Sequence, residues 1–344
     1  MLRSRPLLLA LLPFALLTGC RHRHGAARPP GPRAFVSNEA SGDVSIVDLA
    51  TRRVVATTPV GKRPRGVQKS PDGKFIYVAL SGSVPAGPNV KGPVPPPDRS
   101  ADAIGVLDAR TGALVGKLPS GPDPEQFSLS KDGTKLYVSN EDAAQLSRVD
   151  VATKTIDKSL SVGEEPEGVT TSPDGRWIYV TCESSNRIEV VDAGSFTVVK
   201  ELTVPARPRS VGFLPDTSKA YVTSELGHAV TVIALPAHDI VKTLDLAGEI
   251  TRPMGIAVAP DGAHVFVTTG HAGTVLTIDT KTDELGRTMT AGRRPWGIAA
   301  SADGKTLYAA NGFSDDVSIL DVASGAETGK VKVGSKPWGV VIVP

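Results

Sequence analysis

The chain has 344 residues, of which 40% are hydrophobic and 22% charged, and its formal net charge is +2 at pH 7. Six arginines and no acidic residue precede Ala34, so residues 34–344 carry a net charge of −4, which excludes the basic surface of a nucleic-acid-binding protein. Cys20 and Cys182 are the two cysteines. If Cys20 carries a lipid, as argued below, the mature chain has no cysteine pair for an intrachain disulfide.

Residues 1–19 have the features of a secretory signal. Arg3 and Arg5 precede an apolar run at residues 7–17, which is too short to remain in a bilayer as a spanning helix. The sequence LTGC at residues 17–20 resembles a bacterial lipobox, in which small residues precede a cysteine that receives a lipid. We therefore expect a lipoprotein signal peptide that is removed from the mature chain.

Cys20 is the residue that this signal would lipidate. We expect Cys20 to anchor the mature protein in a membrane, with the basic, proline-rich residues 20–33 as a tether. This predicts a periplasm-facing lipoprotein, and Arg21 in place of Asp favours the outer membrane in a Gram-negative host. His22 and His24 could form an H-x-H metal pair, but we interpret them as solvated because the tether offers no further ligands.

A proline-centred element recurs seven times beyond the tether, with a typical spacing of 42 residues. The prolines are Pro64, Pro124, Pro166, Pro208, Pro253, Pro295 and Pro337. Such a period indicates a repeat architecture in which each unit is one supersecondary element.

Each unit contains four short β-type runs. In the unit that begins at Pro166, an apolar run leads to a Ser-Pro-Asp-Gly turn at residues 172–175, an aromatic run from Tyr179, a run ending at Asp192 and a final run at residues 202–204. Four strands per unit, without a convincing helix, predict an all-β fold, a seven-bladed β-propeller over residues 34–344. Residues 81–100 form a Pro/Gly-rich loop insertion, for which we expect an extended segment without a core of its own.

The two ends of the chain each supply part of one blade. Residues 339–344 contain only a first strand, whereas residues 34–60 contain only a second, third and fourth. We expect the N- and C-terminal strands to pair and close the ring, which removes two open sheet edges. Truncation at either end is then expected to destabilise the whole ring.

These elements resemble the YVTN family of β-propeller repeats over residues 34–344, as in Tyr137-Val138-Ser139-Asn140. AFVSNE at residues 34–39, EPEG at residues 165–168 and the closing KPWGVV are similar to the exported subgroup associated with PQQ-dependent alcohol catabolism. This resemblance implies a non-catalytic binding or accessory module that supports periplasmic quinoprotein oxidation, with no cofactor of its own. The chain departs from the subgroup by its lipobox and its insertion.

The residue after each proline is expected to lie around one mouth of the central channel. These residues are Arg65, Glu125, Glu167, Arg209, Met254, Trp296 and Trp338. The charged arc and the apolar arc could together bind a flat anionic or zwitterionic ligand, or a partner protein. Alternatively, the arginines and glutamates pair with each other and the tryptophans plug the channel. Loops bring further carboxylates to the same face, namely Glu39, Glu141, Glu183 and Glu225.

Linear motifs of common enzymes are missing from the sequence, including C-x-x-C-H, G-x-S-x-G and H-E-x-x-H. We therefore expect a monomer that is not an enzyme, with a protein or small molecule bound at the mouth and no nucleic acid. One alternative is a metal-dependent hydrolase or lyase of lactonase type, in which Asp123, Glu125 or Glu167 holds a divalent cation. Another is a structural or adhesion propeller. His228 and His271, with Glu225, form a weaker candidate metal site.

Overall fold

The computed structural model describes residues 31–84, 95–246, 248 and 251–344. Residues Gly31–Pro344 form one compact unit. The signal peptide, Cys20, the tether histidines and residues 85–94 of the insertion lie outside the described residues. Export and lipidation therefore stay predictions.

The described residues form seven sheets of four strands each. The first half of the chain contains β1 (Arg33–Asn38), β2 (Asp43–Asp48), β3 (Arg53–Pro59), β4 (Pro64–Lys69), β5 (Phe75–Leu80), β6 (Ala103–Asp108), β7 (Leu114–Leu118), β8 (Pro124–Leu129), β9 (Lys135–Asn140), β10 (Gln145–Asp150), β11 (Thr155–Ser161), β12 (Pro166–Thr171), β13 (Trp177–Cys182), β14 (Arg187–Asp192) and β15 (Thr197–Thr203). The second half contains β16 (Pro208–Phe213), β17 (Lys219–Ser224), β18 (Ala229–Ala234), β19 (Asp239–Asp245), β20 (Ile256–Val258), β21 (His264–Thr268), β22 (Thr274–Asp279), β23 (Glu284–Thr290), β24 (Pro295–Ala300), β25 (Thr306–Asn311), β26 (Asp316–Asp321), β27 (Glu327–Lys332) and β28 (Pro337–Val343).

Each sheet is an antiparallel meander, and the closing sheet joins the two ends of the chain. Its strand order is β28-β1-β2-β3. Strands β1 and β28 pair with Phe35 opposite Val341 and Val36 opposite Val340. The prediction of an all-β, seven-bladed propeller closed by its terminal strands is confirmed.

The innermost strands of the seven blades contact one another in a closed ring, from β4 through β8, β12, β16, β20 and β24 to β28 and back to β4. The glycines of the proline elements permit this approach. A Cβ added at Gly168 would lie 2.1 Å from the carbonyl oxygen of Arg209, and one at Gly255 would lie 2.2 Å from that of Trp296. Any side chain at these positions would therefore push neighbouring blades apart.

Hydroxyl groups link five of the seven blades to the next blade at the end of the channel where the prolines lie. In five blades a Ser or Thr of the second strand donates a hydrogen bond to the carbonyl oxygen of the post-proline residue in the next blade. These pairs are Ser37–Arg65, Ser139–Glu167, Thr181–Arg209, Thr223–Met254 and Thr268–Trp296, at 2.6, 2.6, 3.0, 2.7 and 2.7 Å. Ala79 and Ala310 occupy the equivalent positions of β5 and β25.

The hydrophobic core lies between the blades, where the aromatic residue of the second strand is buried against the neighbouring sheet. Tyr179 and Tyr221 are fully buried. Their hydroxyl groups bond to residues in the outer turns of the next blade, Tyr179 to His238 Nδ1 at 2.7 Å and Tyr221 to the Asp283 carboxylate. The repeated aromatic run therefore both fills the core and connects neighbouring sheets.

Helical structure in the described residues is limited to three single-turn 3₁₀ helices, at Arg99–Ala101, Glu141–Ala143 and Gly270–Ala272. Within the same residues, no helix combines the length and hydrophobicity that crossing a membrane requires. The first of these helices lies at the end of the insertion, where Arg99 pairs with Asp102 and Asp142.

Replacing Thr181 by Val tests the hydroxyl link. Thr181 is fully buried, accepts a hydrogen bond from Gly168 N at 2.8 Å and donates one to Arg209 O. Valine keeps the shape and leaves both backbone groups without this partner, so we expect the free energy of unfolding to fall by about 1–3 kcal/mol. Urea denaturation measures the change, with the exposed Thr57→Val on β3 as the control. Equal stability of both variants and the parent would contradict the link's structural role.

Candidate functional site

The mouth is defined here as the end of the channel formed by the seven proline elements and the loops that follow β1, β5, β9, β13, β17, β21 and β25. The residues before the prolines mostly have left-handed backbone. Their φ values are 41° at Arg63, 51° at Asp123, 50° at Glu165, 60° at Arg207, 53° at Arg294 and 51° at Lys336. Non-glycine residues rarely adopt this conformation, so the backbone before these prolines is strained. The closed ring maintains this strain and thereby positions the side chains at the mouth.

The first group of charges at the mouth surrounds Arg63 and Arg65. Arg65 Nε donates to Glu39 Oε1 at 2.9 Å, and another nitrogen of Arg65 contacts the fully buried Glu125 carboxylate in the next blade. Arg63 lies 3.7 Å from Asp123 Oδ1 and 3.8 Å from Glu125 Oε1. Burial favours the neutral form of Glu39, but Arg65 and Arg63 hold its pKa below the usual range.

The second group of charges surrounds Arg209, whose Nη1 lies 3.2 Å from Glu167 Oε1 and 2.5 Å from Glu183 Oε1. Its Nε and Nη2 donate to Glu225 Oε2 at 2.8 and 2.6 Å. Burial would lower the pKa of Arg209, but the three carboxylates outweigh it and raise that pKa. Arg209 is therefore a permanent cation that binds three glutamates together.

Glu141 differs from the other glutamates of the mouth. In the described part of the chain, no arginine or lysine nitrogen forms an ion pair with its carboxylate. Carboxylate oxygens of Asp123, Glu125 and Glu141 all lie within 4.8 Å of one another. Burial, followed by the neighbouring Glu167 carboxylate, raises the pKa of Glu141 to about 7, although Arg65 opposes the shift. Burial also raises the pKa of Glu183, to about 8, although Arg209 opposes that shift. The mouth thus holds two carboxyl groups that titrate near neutral pH, and of these Glu141 is the one without an ion pair in the described residues.

The opposite side of the mouth is apolar. Trp296 and Trp338 meet edge to face, with ring centroids 5.6 Å apart, and Met254 is buried. The guanidinium of Arg294 lies 5.2 Å from the ring centroids of both Trp296 and the exposed Phe313. This side presents flat aromatic surfaces beside one cation.

The structure brings together most, but not all, of the expected site residues. The arginines and glutamates pair, as in the alternative considered from the sequence. Asp123 and Glu125 do approach each other, but Glu141 takes the third position expected of Glu167, which binds Arg209 instead. His228 Nδ1 contacts Thr251 O at 2.8 Å and His271 contacts an Arg294 nitrogen. Neither joins a metal-ligand cluster with Glu225 in the described residues.

The roles of Glu141 and of the arginines that precede the prolines were not predicted from the sequence. For Glu141 the order of the charged residues does contain a signal. Each loop carboxylate lies between the proline elements of its own blade and the next. Glu39 meets Arg65 of the next blade, whereas Glu183 and Glu225 share Arg209. Glu141 lies between the acidic elements at residues 123–125 and 165–167, so neither provides it with a cation.

A family model described as "Lactonase, 7-bladed beta-propeller" matches residues 13–161 and 191–340. This is most of the chain. The chain belongs to the seven-bladed β-propeller lactonase family.

Individual relatives of this lactonase-family chain are distant. The seven-bladed beta-propeller protein Rv1057 of Mycobacterium tuberculosis is 33% identical over 85 residues, which cover 24% of this chain and 18% of the relative's own length. A proposed 6-phosphogluconolactonase from Bacteroides fragilis has a TM-score of 0.74 at 16% identity and covers 93% of this chain and 100% of its own. Hydrazine synthase of Kuenenia stuttgartiensis gives a TM-score of 0.71 at 22% identity, with 88% and 99% covered. These two structures show the shared fold.

Membership of the lactonase family corrects two expectations. The interpretation as a non-catalytic binding or accessory module is wrong, and so is the expectation that the chain is not an enzyme, because the family is one of lactone hydrolases. The physical reason is that a propeller assembles its polar groups from loops about 42 residues apart, a spacing that linear enzyme motifs do not capture.

The raised pKa of Glu141 makes stability depend on pH. The folded chain binds this proton more tightly than the unfolded chain, so the stabilisation is fully present below about pH 4.5 and is lost as pH rises through about 7. Urea unfolding at pH 5 and pH 8.5 should show that Glu141→Gln loses about 2 kcal/mol less than the parent across this range. The exposed Glu284→Gln on β23 is the control, and identical losses in all three chains would contradict the assignment.

Proposed function

We propose that this propeller is a hydrolase that opens lactones at the mouth. The observation that carries the proposal is the carboxyl group of Glu141, which titrates near pH 7 between other carboxylates and the Arg65 guanidinium. A general base is most effective when its pKa lies near the working pH. Family membership supports hydrolysis of a cyclic ester as the reaction.

Lactone hydrolysis requires a base for water and a cation for the oxygen that becomes negative. The Glu141 carboxylate would accept a proton from water while the water oxygen bonds to the lactone carbonyl carbon. The Arg65 guanidinium, which interacts electrostatically with Glu141, would stabilise the oxyanion of the tetrahedral intermediate. Cleavage of the ring C–O bond then returns the proton from Glu141 to the leaving oxygen, so that a hydroxy acid is released.

A covalent thiol mechanism does not suit the described residues. Cys182 is fully buried in β13, and burial raises the pKa of its thiol to about 12. A thiol in that state is neither ionised at neutral pH nor reachable by substrate. Cys182 is therefore not the nucleophile.

The carboxylates of Asp123, Glu125 and Glu141 fit a hard divalent cation such as Ca²⁺ or Mg²⁺. Their oxygens lie within 4.8 Å of one another, and Glu125 Oε1 is buried without a hydrogen bond. These three residues would hold the ion, which when bound would polarise the lactone carbonyl and acidify water. With the ion bound, Glu141 would be a ligand and not the base. The proton transfer assigned to Glu141 is that of the cation-free site, where Arg63 and Arg65 compensate the negative charge.

Replacing Glu141 by Gln tests the proposed base. We expect kcat for lactone hydrolysis to fall by roughly 10²–10⁴-fold with little change in KM. The parent's kcat should rise with pH through about 7, the pKa of Glu141, and the variant should lose this rise. A pH-stat assay with glucono-δ-lactone and its 6-phospho derivative measures this, with Glu284→Gln as the control.

Two results of that assay would count against the proposal. One is hydrolysis by the parent no faster than in buffer for every lactone in a panel of different ring sizes. The other is a Glu141→Gln variant with the parent's kcat and pH profile. A parallel assay after dialysis against EDTA, with Ca²⁺, Mg²⁺ or Zn²⁺ returned, decides whether a cation contributes to the rate.

We also propose that the repeats are of the YVTN type, of the exported PQQ-associated subgroup, and that the enzyme faces the periplasm as a lipoprotein anchored through Cys20. The LTGC sequence at residues 17–20 supports the anchor. Because a lipid chain on Cys20 provides the membrane affinity, Cys20→Ser should move the protein from the membrane fraction to the soluble fraction. Ultracentrifugation of lysed cells measures this, and an unchanged distribution would contradict lipidation.

A further inference from the structure

The apolar side of the mouth contains buried N–H donors without acceptors. Within the described residues, Arg294 Nε and the indole nitrogens of Trp296 and Trp338 have no hydrogen-bond partner. Trp338 retains only 8% of its exposure. Because a buried donor without an acceptor destabilises the folded chain, three such donors on one side of the mouth indicate a missing acceptor.

The charge of Arg294 is also incompletely compensated. In the described residues its carboxylate contact is with Glu225, whose Oε1 lies 4.0 Å from Nη2 and whose other oxygen is already bound by Arg209. Arg294 Nη1 contacts His271 Nε2, and a neutral imidazole provides no negative charge. Arg209, by contrast, has three glutamates within 3.2 Å. An anion beside Arg294 would compensate its positive charge, as the three glutamates compensate the charge of Arg209.

Aromatic rings hold this cation in place and leave part of it exposed, since the Arg294 side chain retains 16% of its exposure. The Arg294 guanidinium lies 5.2 Å from the ring centroids of Trp296 and Phe313, and Phe313 is 51% exposed. Cation–π contacts of this kind favour a defined position of the guanidinium. A ligand entering from solvent would therefore meet an aromatic surface first and the cation behind it.

We infer that Arg294, Trp296, Trp338 and Phe313 form a subsite for a flat, apolar ring that carries a carboxylate. The carboxylate would accept from the Arg294 guanidinium, and a shift of the two tryptophan side chains on binding would open their indole N–H groups to it. The ring would lie against Phe313 and Trp296. The assignment of this subsite to the substrate rests on the proposed function, and it requires a lactone that carries a flat ring and a carboxylate. Binding at the subsite is nevertheless measurable without catalysis.

Benzoate is the probe, because it has the ring and the carboxylate and no bond that the enzyme could hydrolyse. Isothermal titration calorimetry should show benzoate binding at least tenfold tighter than gluconate, which keeps the carboxylate without a ring, and than benzyl alcohol, which keeps the ring without the charge. Arg294→Gln should weaken benzoate by roughly 10–100-fold, since a charge-assisted hydrogen bond is lost. Trp338→Phe, which removes one neutral donor, should weaken it by roughly 2–10-fold.

Two further variants separate binding from folding. Phe313→Ala changes an exposed residue, so its melting temperature should match the parent while its benzoate affinity falls about threefold or more. Trp177→Phe is the matched control, because Trp177 begins β13 at the end remote from the mouth and packs against His238. Its affinity for benzoate should equal that of the parent.

Gluconate binding as tightly as benzoate, or parent affinity in both Arg294→Gln and Phe313→Ala, would overturn the subsite. Lactone hydrolysis without benzoate binding would contradict the subsite but not the proposed function. Benzoate binding with the expected losses of affinity, but without hydrolysis of any lactone, would support the subsite and contradict the proposed function.

Discussion

Hydrogen bonds between a second-strand hydroxyl and the neighbouring blade's post-proline carbonyl set the geometry of the mouth. Thr181, for example, accepts from Gly168 N within its own blade and donates to Arg209 O in the next. The glycine allows the two inner strands to approach, and the hydroxyl satisfies the backbone groups that the irregular pairing of β12 with β13 leaves open. The side chains that follow the prolines are thus held by the same contacts that hold the blades together.

A mouth built in this way has a charge pattern that follows the order of the blades. Arg65 and Arg209 each bind carboxylates from neighbouring blades, and two acidic proline elements stand between them. Glu141 lies in that acidic stretch without an ion pair of its own in the described residues, and its pKa is raised to about 7. With no ion pair in the described residues, Glu141 keeps the raised pKa that the proposed general base requires.

The two sides of the mouth complement each other chemically. The carboxylate side lacks a cation at Glu141, whereas the aromatic side lacks an anion at Arg294. A substrate that bears an ester carbonyl at one end and an acidic, flat group at the other would satisfy both. The proposed function and the proposed subsite thus place chemistry and substrate recognition at separate places on one ring.

The fold follows from local rules that the sequence displays, whereas the site depends on relations between blades. The proline period, the Asp-Gly turns and the divided closing blade are each visible in the sequence, and β1 and β28 pair as they predict. The ion pairs of the site depend on distances between blades, which the sequence does not show. Glu125 contacts Arg65, whereas Glu167 contacts Arg209. The sequence showed Glu141 as one of four equivalent loop glutamates, and only its neighbours in space distinguish it.

The most direct test of this account is the titration of the Glu141 carboxyl group itself. Carbon-13 NMR of the protein labelled at glutamate carboxyl carbons should show a resonance that titrates near pH 7 and is absent from Glu141→Gln. A Glu141 resonance that titrates near the ordinary value of 4.5 would contradict the claim that the mouth leaves this carboxylate without a cation.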